Sequence, residues 1–552
     1  AAPTAYFDVE QFGLWKIVTS AMEPIYRRYP RAMDSNDRPN VLLITLDQFR
    51  ADCLGIAGHS IVSTPNLDAL AERGVRFANH YSNCAPCAPA RASLLTGLWQ
   101  SNHRVTNNGA PLSDDLPMLP RLMRDEGYDS VLFGFTDTAL DPATLDPDDP
   151  RRLSWELPMS GFRAEELLDD NVEGWIKWLA ELGYEVPKGG GPANRQIYEP
   201  ADVPVPADRG ESWRPARYSA EHSEAAYLTG KVLAWLGQPE RREEPFFAHI
   251  SYIRPHPPYL APEPYNSMFD PADVPAPVRA ATIEEEASVH PFLKTALMLV
   301  PSPINDLDQR QLTATYYGMI AEVDAQLGRL LDGLEELDLT KDTVILLTSD
   351  HGEQMGDHWL IEKLGYFDQS YRIPLIISAP AFIDNPGRVV EAFTENVDIT
   401  PTLLDMVGAP APAMSDGSSL KQLLAEPEAE DDWWRSAVHF EFDFREPTSD
   451  FIEQLVGLRQ DQCTISVIRD HKGKYVHFAG DFPALFYDLE KDPDELVNRA
   501  DDPAYTATIL DYAQRLLSMQ IEHTDPRLGN TRATPLGTIH RSDPPRQLRA
   551  GV

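Results

Sequence analysis

Basic residues and cysteines are both scarce in this sequence, and long apolar runs are missing. The 552 residues hold 48 Lys and Arg against 86 Asp and Glu, a net charge of −38. A surface of that sign repels polyanions, which excludes nucleic-acid binding and adhesion to an anionic membrane. No stretch approaches the ~18 uninterrupted apolar residues of a membrane span, and there is no internal repeat or low-complexity tract. Cys53, Cys84, Cys87 and Cys463 are too few for a disulfide framework and fit a reducing compartment. Ala1–Asp8 show no basic stretch leading into an apolar one, so the expected location is cytoplasmic. At 42% hydrophobic and 24% charged residues, the chain has ample material for a large folded core.

Asn40–Leu46 (NVLLITL) is a continuous apolar run of the kind found in strands buried on both faces of a parallel sheet. Asp47 ends it. Thr64-Pro65 then opens a helix that Gly74 closes. Strand-like runs recur at Ser130–Phe135, Pro245–Ile253, Thr343–Leu347 and Pro374–Ser378, and helical periodicity spans Asp308–Leu337. The alternation predicts an α/β fold: a large, mainly parallel sheet sandwiched by helices, with ligands bound beyond the strands' carboxyl ends. Ala139–Arg217, rich in Pro, Trp and acidic residues, reads as a long insertion; its Trp155, Trp175 and Trp178 are expected in the core. After about residue 430, Ala437–Phe444, a hairpin of Cys463–Asp470 with Lys474–Phe478, and a helix over Tyr505–His523 predict a smaller antiparallel sheet plus helix. The expected units are an N-terminal arm (1–38), an α/β domain (39–430), a small C-terminal α+β domain (431–526) and a tail (527–552). The arm and tail have little use on a compact monomer, so a homo-oligomer, dimer or tetramer, is expected.

Two carboxylates stand at strand ends, Asp47 and Asp350, the latter within Thr348-Ser349-Asp350-His351-Gly352. If the two strands are neighbours, Asp47, Gln48, Asp350 and His351 converge on one divalent metal. Singly, each Asp reads as a helix cap. The third motif is Cys87-Ala88-Pro89-Ala90-Arg91-Ala92-Ser93-Leu94-Leu95-Thr96-Gly97. Pro89 suits a first helical turn and Gly97 a helix end, which puts Cys87 at a positive helix N-terminus, where a thiol would be activated. A Cys84–Cys87 redox or zinc pair is the competing reading, without a second pair or a thioredoxin-like pattern to support it.

The run CAPARASLLTG resembles the sulfatase signature of the alkaline phosphatase superfamily, in which the cysteine is oxidised to formylglycine. The resemblance extends along the chain through Asp47-Gln48, TPNLDALAERG, Ser349–Gly352, VDITPTLL (Val397–Leu404) and LFYDL (Leu485–Leu489). Within the superfamily, LDQFRAD, NHRVTNN, IRPHPPY, TSDHGEQMGDH and HFEFDFRE resemble the arylsulfatase and phosphonate monoester hydrolase branch. The resemblance implies an alkaline phosphatase-like fold and one divalent metal (Mn or Ca) held by Asp47, Gln48, Asp350, His351 and residue 87. It also implies a formylglycine made from Cys87 by a formylglycine-generating enzyme. A hydrated aldehyde there offers two hydroxyls, one to attack sulfur or phosphorus and one to collapse the resulting hemiacetal ester. Arg91 is then placed to steady the alkoxide and substrate anion, His256 and Lys363 to assist the leaving group, and Asn108 to donate to a substrate oxygen. Out of that context, His256 and Asn108 read as turn residues and Lys363 as a solvated surface lysine. His103, Glu353, Asp357 and His358 are expected to orient other groups.

Two positions depart from the pattern. Sulfatases of this type carry Lys and His after the strand equivalent to SVLFGF, and the phosphonate hydrolases Tyr and Thr, where this chain has Phe135 and Asp137. Asp137 beside an anionic ester is unfavourable unless it is protonated, metal-linked or engaged with an Arg; the alternative use is to bind a cationic or hydroxylated leaving group. The resulting expectation is a sulfate monoester hydrolase of arylsulfatase type that also cleaves phosphonate monoesters and phosphodiesters. The alternatives are a primary phosphonate monoester hydrolase or phosphodiesterase, and a redox or non-catalytic protein with Cys87 unmodified.

Overall fold

The computed structural model describes residues 38–242, 244–425, 434–524, 531–534 and 537–540. The N-terminal arm except Arg38 lies outside the described residues. Of the tail, only the backbone of a hairpin, Thr531–Thr534 with Gly537–His540, lies within them.

Asn40–Leu46 forms strand β1, buried at every position and flanked on both sides by parallel strands, which is why it reads as an unbroken apolar run. The remaining sheet strands are β2 (Val75–Tyr81), β3 (Cys84–Ala85), β4 (Asp129–Gly134), β5 (Arg163–Leu167), β6 (Phe246–Tyr252) and β7 (Thr343–Thr348). They continue with β8 (Leu375–Ser378), β9 (Arg388–Glu395), β10 (Val438–Asp443), β11 (Thr464–Arg469), β12 (Gly473–Phe478) and β13 (Leu485–Asp488). The large sheet runs β5-β4-β6-β1-β7-β8-β2-β9 and is parallel except for β8, which is antiparallel to both neighbours.

Period-two alternation divides the core between the sheet's two faces. Leu42, Ile44 and Leu46 pack under α1 (Pro65–Arg73), while Val41 and Leu43 face α2 (Cys87–Thr96). The first face also carries α3 (Glu224–Leu236) and the long α4 (Asp306–Glu336); the second carries α5 (Ile399–Met406). Helix α4 starts two residues earlier than its apolar pattern, because the Asn305 side chain accepts the Leu307 and Asp308 N–H groups.

The smaller sheet runs β13-β12-β11-β10-β3, antiparallel apart from the β10–β3 pair, with α6 (Thr506–Glu522) packed on β11 and β12. β3 lies directly ahead of Cys87, so this sheet is tied to the start of α2. The 139–217 segment supplies β5 as the large sheet's edge. Its Trp175 is fully buried and Trp178 packs against the same core. No helix among the described residues is long and apolar enough to cross a membrane.

Candidate active site

β1 and β7 are adjacent and parallel, with Thr45 opposite Thr348, so Asp47 and Asp350 leave the carboxyl edge of the sheet together. β4 and β6 deliver Phe135–Asp137 and Ser251–His256 to the same edge. α2 opens there at Cys87, with Pro89 in its first turn and Gly97 at a left-handed C-cap. Ligand atoms of Asp47, Cys87, Asp350 and His351 all lie within 4.8 Å of one another, and all four residues are buried.

His351 Nδ1 donates to the Gly352 carbonyl at 3.0 Å, which leaves the Nε2 lone pair facing the group. Nε2 lies 3.3 Å from Cys87 Sγ, 3.9 Å from Asp47 Oδ1 and 3.8 Å from Asp350 Oδ2. Burial pulls the His351 ring down to about 4, so it is neutral at pH 7. Asp47 Oδ1, though buried, accepts no hydrogen bond. An orphaned carboxylate oxygen beside a second carboxylate and a neutral imidazole fits one divalent cation. Gln48, expected as a further ligand, has Oε1 accepting from Lys363 Nζ at 2.9 Å and Nε2 donating to Glu353.

Arg91 is fully buried behind the carboxylates. Nε donates to Asp350 Oδ2 (3.0 Å), Nη2 to Asp47 Oδ2 (2.9 Å), and Nη1 to Ser251 Oγ (2.7 Å) and the Phe135 carbonyl (3.2 Å). The expectation that Arg91 meets the substrate is therefore corrected, because all three of its nitrogens donate to Asp350, Asp47, Ser251 and the Phe135 carbonyl, and the residue is absent from the cavity lining. Phe135 contributes its carbonyl and a ring 4.1 Å from the guanidinium. Burial followed by the Asp350 charge lifts Asp47 well above the carboxylate range despite Arg91 and Lys363. Asp350 is held low: burial opposes ionisation, but the neighbouring His351, Arg91 and the Gln48 N–H prevail.

The same balance corrects the activated-thiol expectation. Burial and then Asp47 push the Cys87 thiol well up, and the positive end of α2 does not compensate. Cys84 does not pair with Cys87; its Sγ lies 3.3 Å from Ser93 Oγ, and both cysteines are free.

His256 Nδ1 donates to the Pro257 carbonyl (2.7 Å), so its Nε2 accepts from Lys363 Nζ at 3.0 Å. Burial and the Lys363 charge keep the ring neutral. Burial also acts on Lys363, but the acidic groups around it, with Cys87, Asp47 and Glu362 foremost, outweigh it and raise the ammonium above its ordinary value. Asn108 Oδ1 accepts the Ala88 N–H at 3.0 Å, which leaves its NH2 end without a hydrogen bond among the described residues. Asp137 lies 3.5 Å from Arg91 Nε, and burial sets its carboxyl at about 6.

These residues open into a cavity of about 560 Å³. Asp47, Cys87, Asn108, Phe135, Asp137 and His256 line its inner end. The 139–217 segment builds the outer wall with Trp155, Glu156, Leu168, Asp169, Asp170, Val172, Arg195 and Tyr198. Trp155 thus lines the cavity rather than the core, which corrects the reading of that tryptophan. Ser251 and Arg254 escaped the sequence reading, although both sit at the end of a recognisable strand run. Glu353 braces Gln48 and accepts from the Tyr259 hydroxyl (2.8 Å), and Asp357 pairs with Arg50 (2.9 Å). His103 joins Ser93 Oγ at 3.0 Å, while His358 stacks on Phe367 at 3.5 Å between ring centroids. These four orient neighbours and stay outside the cavity wall.

The sulfatase family's sequence profile matches residues 39–409. The chain belongs to the sulfatase family. A second profile, the C-terminal region of N-sulphoglucosamine sulphohydrolase, matches residues 356–522. Among curated relatives, the multifunctional alkaline phosphatase superfamily protein PehA of Trinickia caryophylli is 41% identical over 92% of this chain and 99% of its own. An arylsulfatase of Clostridium perfringens is 29% identical, covering 88% of this chain and 95% of its own. The solved phosphonate monoester hydrolase of Agrobacterium radiobacter has a TM-score of 0.85 at 44% identity, covering 92% of this chain and all of that one. These matches carry the alkaline phosphatase-like fold expected from the sequence.

Proposed function

We propose that this member of the sulfatase family hydrolyses sulfate monoesters at the Cys87 centre and cleaves phosphonate monoesters and phosphodiesters there as well. The observation that carries this is the convergence of Asp47, Cys87, Asp350 and His351 at one cavity with the His256–Lys363 pair. Asp47, Asp350, His351 and residue 87 would hold one divalent cation, Mn or Ca by the donor set, with Gln48 beside them. The cation supplies Lewis-acid stabilisation of the ester oxygens, and an aldehyde made from Cys87 by a formylglycine-generating enzyme supplies, once hydrated, the nucleophilic hydroxyl.

The protein's own groups do the rest. Arg91 keeps both carboxylates in place and acts on the ester only through them. The proton shared across the 3.0 Å Lys363–His256 contact rests on Lys363, which gives it to the departing alkoxide, while His256 Nε2, its one lone pair turned to Lys363, holds the ammonium in position. Asn108 presents its NH2 group to an ester oxygen, while Phe135 and Ile253 give a second substituent an apolar wall.

That room favours the second ranking, in which phosphonate monoesters come first. The solved phosphonate monoester hydrolases of Agrobacterium radiobacter and Silicibacter pomeroyi, at 44% and 37% identity, point the same way. Turnover of 4-nitrophenyl sulfate, 4-nitrophenyl phenylphosphonate and bis(4-nitrophenyl) phosphate decides the order, with dominant phosphonate turnover reversing it. The mass of tryptic peptide Phe77–Arg91, taken without alkylation, tests the nucleophile. An aldehyde at 87 with Cys84 untouched supports it, whereas a free thiol with no turnover leaves the redox or non-catalytic reading. A cytoplasmic location and a homo-oligomer complete the proposal; light scattering before and after removal of the tail, residues 527–552, tests the assembly.

A further inference from the structure

The cavity that would receive an anionic ester is itself strongly acidic. Besides Asp47, its walls carry Asp137, Glu156, Asp169, Asp170, Glu199 and Glu224 against Arg195 and Arg254. Two of these carboxylates are engaged elsewhere. Glu199 pairs with Arg217 at 2.9 Å, and Glu224 accepts the Tyr198 hydroxyl at 2.6 Å next to the buried Arg254. Asp137 is credited to Arg91. Glu156, Asp169 and Asp170 then face a single exposed cation, Arg195, which pairs with Asp170 and lies 3.8 Å from Glu156 Oε1. A surplus of negative charge therefore lines the route of a negative substrate, which is unfavourable unless the substrate's other end is positive.

Two further features mark this wall as a seat for a cation. Asp137 is 8% exposed and faces the cavity, yet accepts no hydrogen bond among the described residues. Its one ion pair, to Arg91 Nε at 3.5 Å, is longer than the 3.0 Å contact that Asp350 makes with the same nitrogen. Trp155 adds an aromatic face to the wall. It packs over the turn that carries Asn108, where a Cβ on Gly109 would sit 3.9 Å from Trp155 Cγ. An indole face next to carboxylates is the chemistry that holds ammonium groups. Burial and the repulsion of Asp169 and Asp137 push the Glu156 carboxyl up to about 7 against the opposing charge of Arg195, as expected where carboxylates outnumber their counter-charge.

We infer that the alcohol half of the substrate carries a cationic group, an ammonium of amino-alcohol type, seated among Asp137, Glu156, Asp169 and Asp170 against Trp155. The substrate is then a zwitterion, with its ester anion at the Cys87 end and its cation at the acidic wall of the same cavity, and its net neutrality removes the penalty of entry. This rests on the hydrolase reading for the identity of the ester end.

The test separates the two readings. Binding of 2-(trimethylammonio)ethanol and of its uncharged isostere 3,3-dimethylbutan-1-ol to the full-length protein is measured by calorimetry, with turnover of 4-nitrophenyl phenylphosphonate measured alongside. The cation should bind about tenfold more tightly than the isostere. The ratio should fall at least threefold in Glu156→Gln, further in Glu156→Gln/Asp170→Asn, and also in 0.5 M NaCl. The ratio is internal to each protein, so a general loss of activity does not enter it. Equal binding of the two alcohols, or preference for the isostere, overturns the cation seat even if the phosphonate is hydrolysed. A cation preference in a protein that hydrolyses no ester upholds the seat and sinks the hydrolase reading.

Discussion

Replacing Arg91 by Met keeps the length of the side chain and removes its charge from a fully buried position. Among the described residues its Nη2 contact is the sole hydrogen bond to Asp47 Oδ2, and Asp47 Oδ1 has none, so the variant leaves Asp47 with no hydrogen-bond donor there. Asp350 keeps the Gln48 and His351 N–H groups. Breaking a buried ion set by removing one partner costs about 3–5 kcal/mol, and with two carboxylates affected the metal-free protein should lose at least the lower value. The pH dependence has a definite sign. Asp47 already lies above its unfolded value, and loss of Arg91 raises it further. A carboxyl raised in the folded state favours folding when protonated, and that support is lost as pH rises through the folded value. The gap between Arg91→Met and the parent should therefore be small near pH 5 and full at pH 8. A saturating divalent cation supplies the missing positive charge and should narrow it. Urea unfolding followed by tryptophan fluorescence, with and without chelator at both pH values, measures this. A metal-free gap below about 1 kcal/mol at pH 8, or one that widens on acidification, would refute the assignment of Arg91 as the charge that holds Asp47 and Asp350.

Cation affinity should rise with pH, because a cation at Asp47 displaces a proton from a carboxyl lifted by burial and Asp350. Calorimetry in buffers of different ionisation enthalpy reads the proton release, and its absence at mildly acid pH counts against Asp47 as a ligand. His256→Ala and Lys363→Ala should each slow an alkyl ester by about 10²–10⁴-fold and a 4-nitrophenyl ester far less, since a good leaving group needs little proton donation. Equal losses on both esters would show that the pair binds rather than protonates. Gly134, at φ +98°, ends β4, and a Cβ there would lie 2.1 Å from the Ser251 carbonyl oxygen. Gly134→Ala should cost about 1–3 kcal/mol and lower turnover by moving Ser251 off Arg91; unchanged stability and kinetics would show that the strand end yields freely.

Much of the carboxyl edge was legible in the chain itself. A strand buried on both faces is a largely apolar, uncharged run, so the first charged residue after it marks where the chain has left the sheet, and this located Asp47 and Asp350. Pro89 and Gly97 bracket α2 through local backbone preference alone, which located Cys87 at a helix start. β2 and β9 were not legible. VRFANHY buries Asn79 and His80, and these become tolerable only when the Glu391 carbonyl, Thr394 and Asn396 partner them across more than 300 residues of chain. Nor was the role of the 139–217 segment, because edge strand β5 (RAEEL) is fully buried at none of its positions and carries no apolar signature.

What the sequence alone determined is the inventory: which side chains stand at strand and helix ends, and therefore which chemistry is on offer. Tertiary structure decided which of them meet. Adjacency of β1 and β7 puts Asp47 beside Asp350, and burial turns Arg91 away from the substrate and onto the carboxylates. Packing of the 139–217 segment across the cavity converts its tryptophan and acids from core and surface residues into a wall facing the ester. Local pattern records the conformational preference of a residue and its nearest neighbours. Charge balance at a buried point depends on every group within a few ångströms, whatever its distance along the chain.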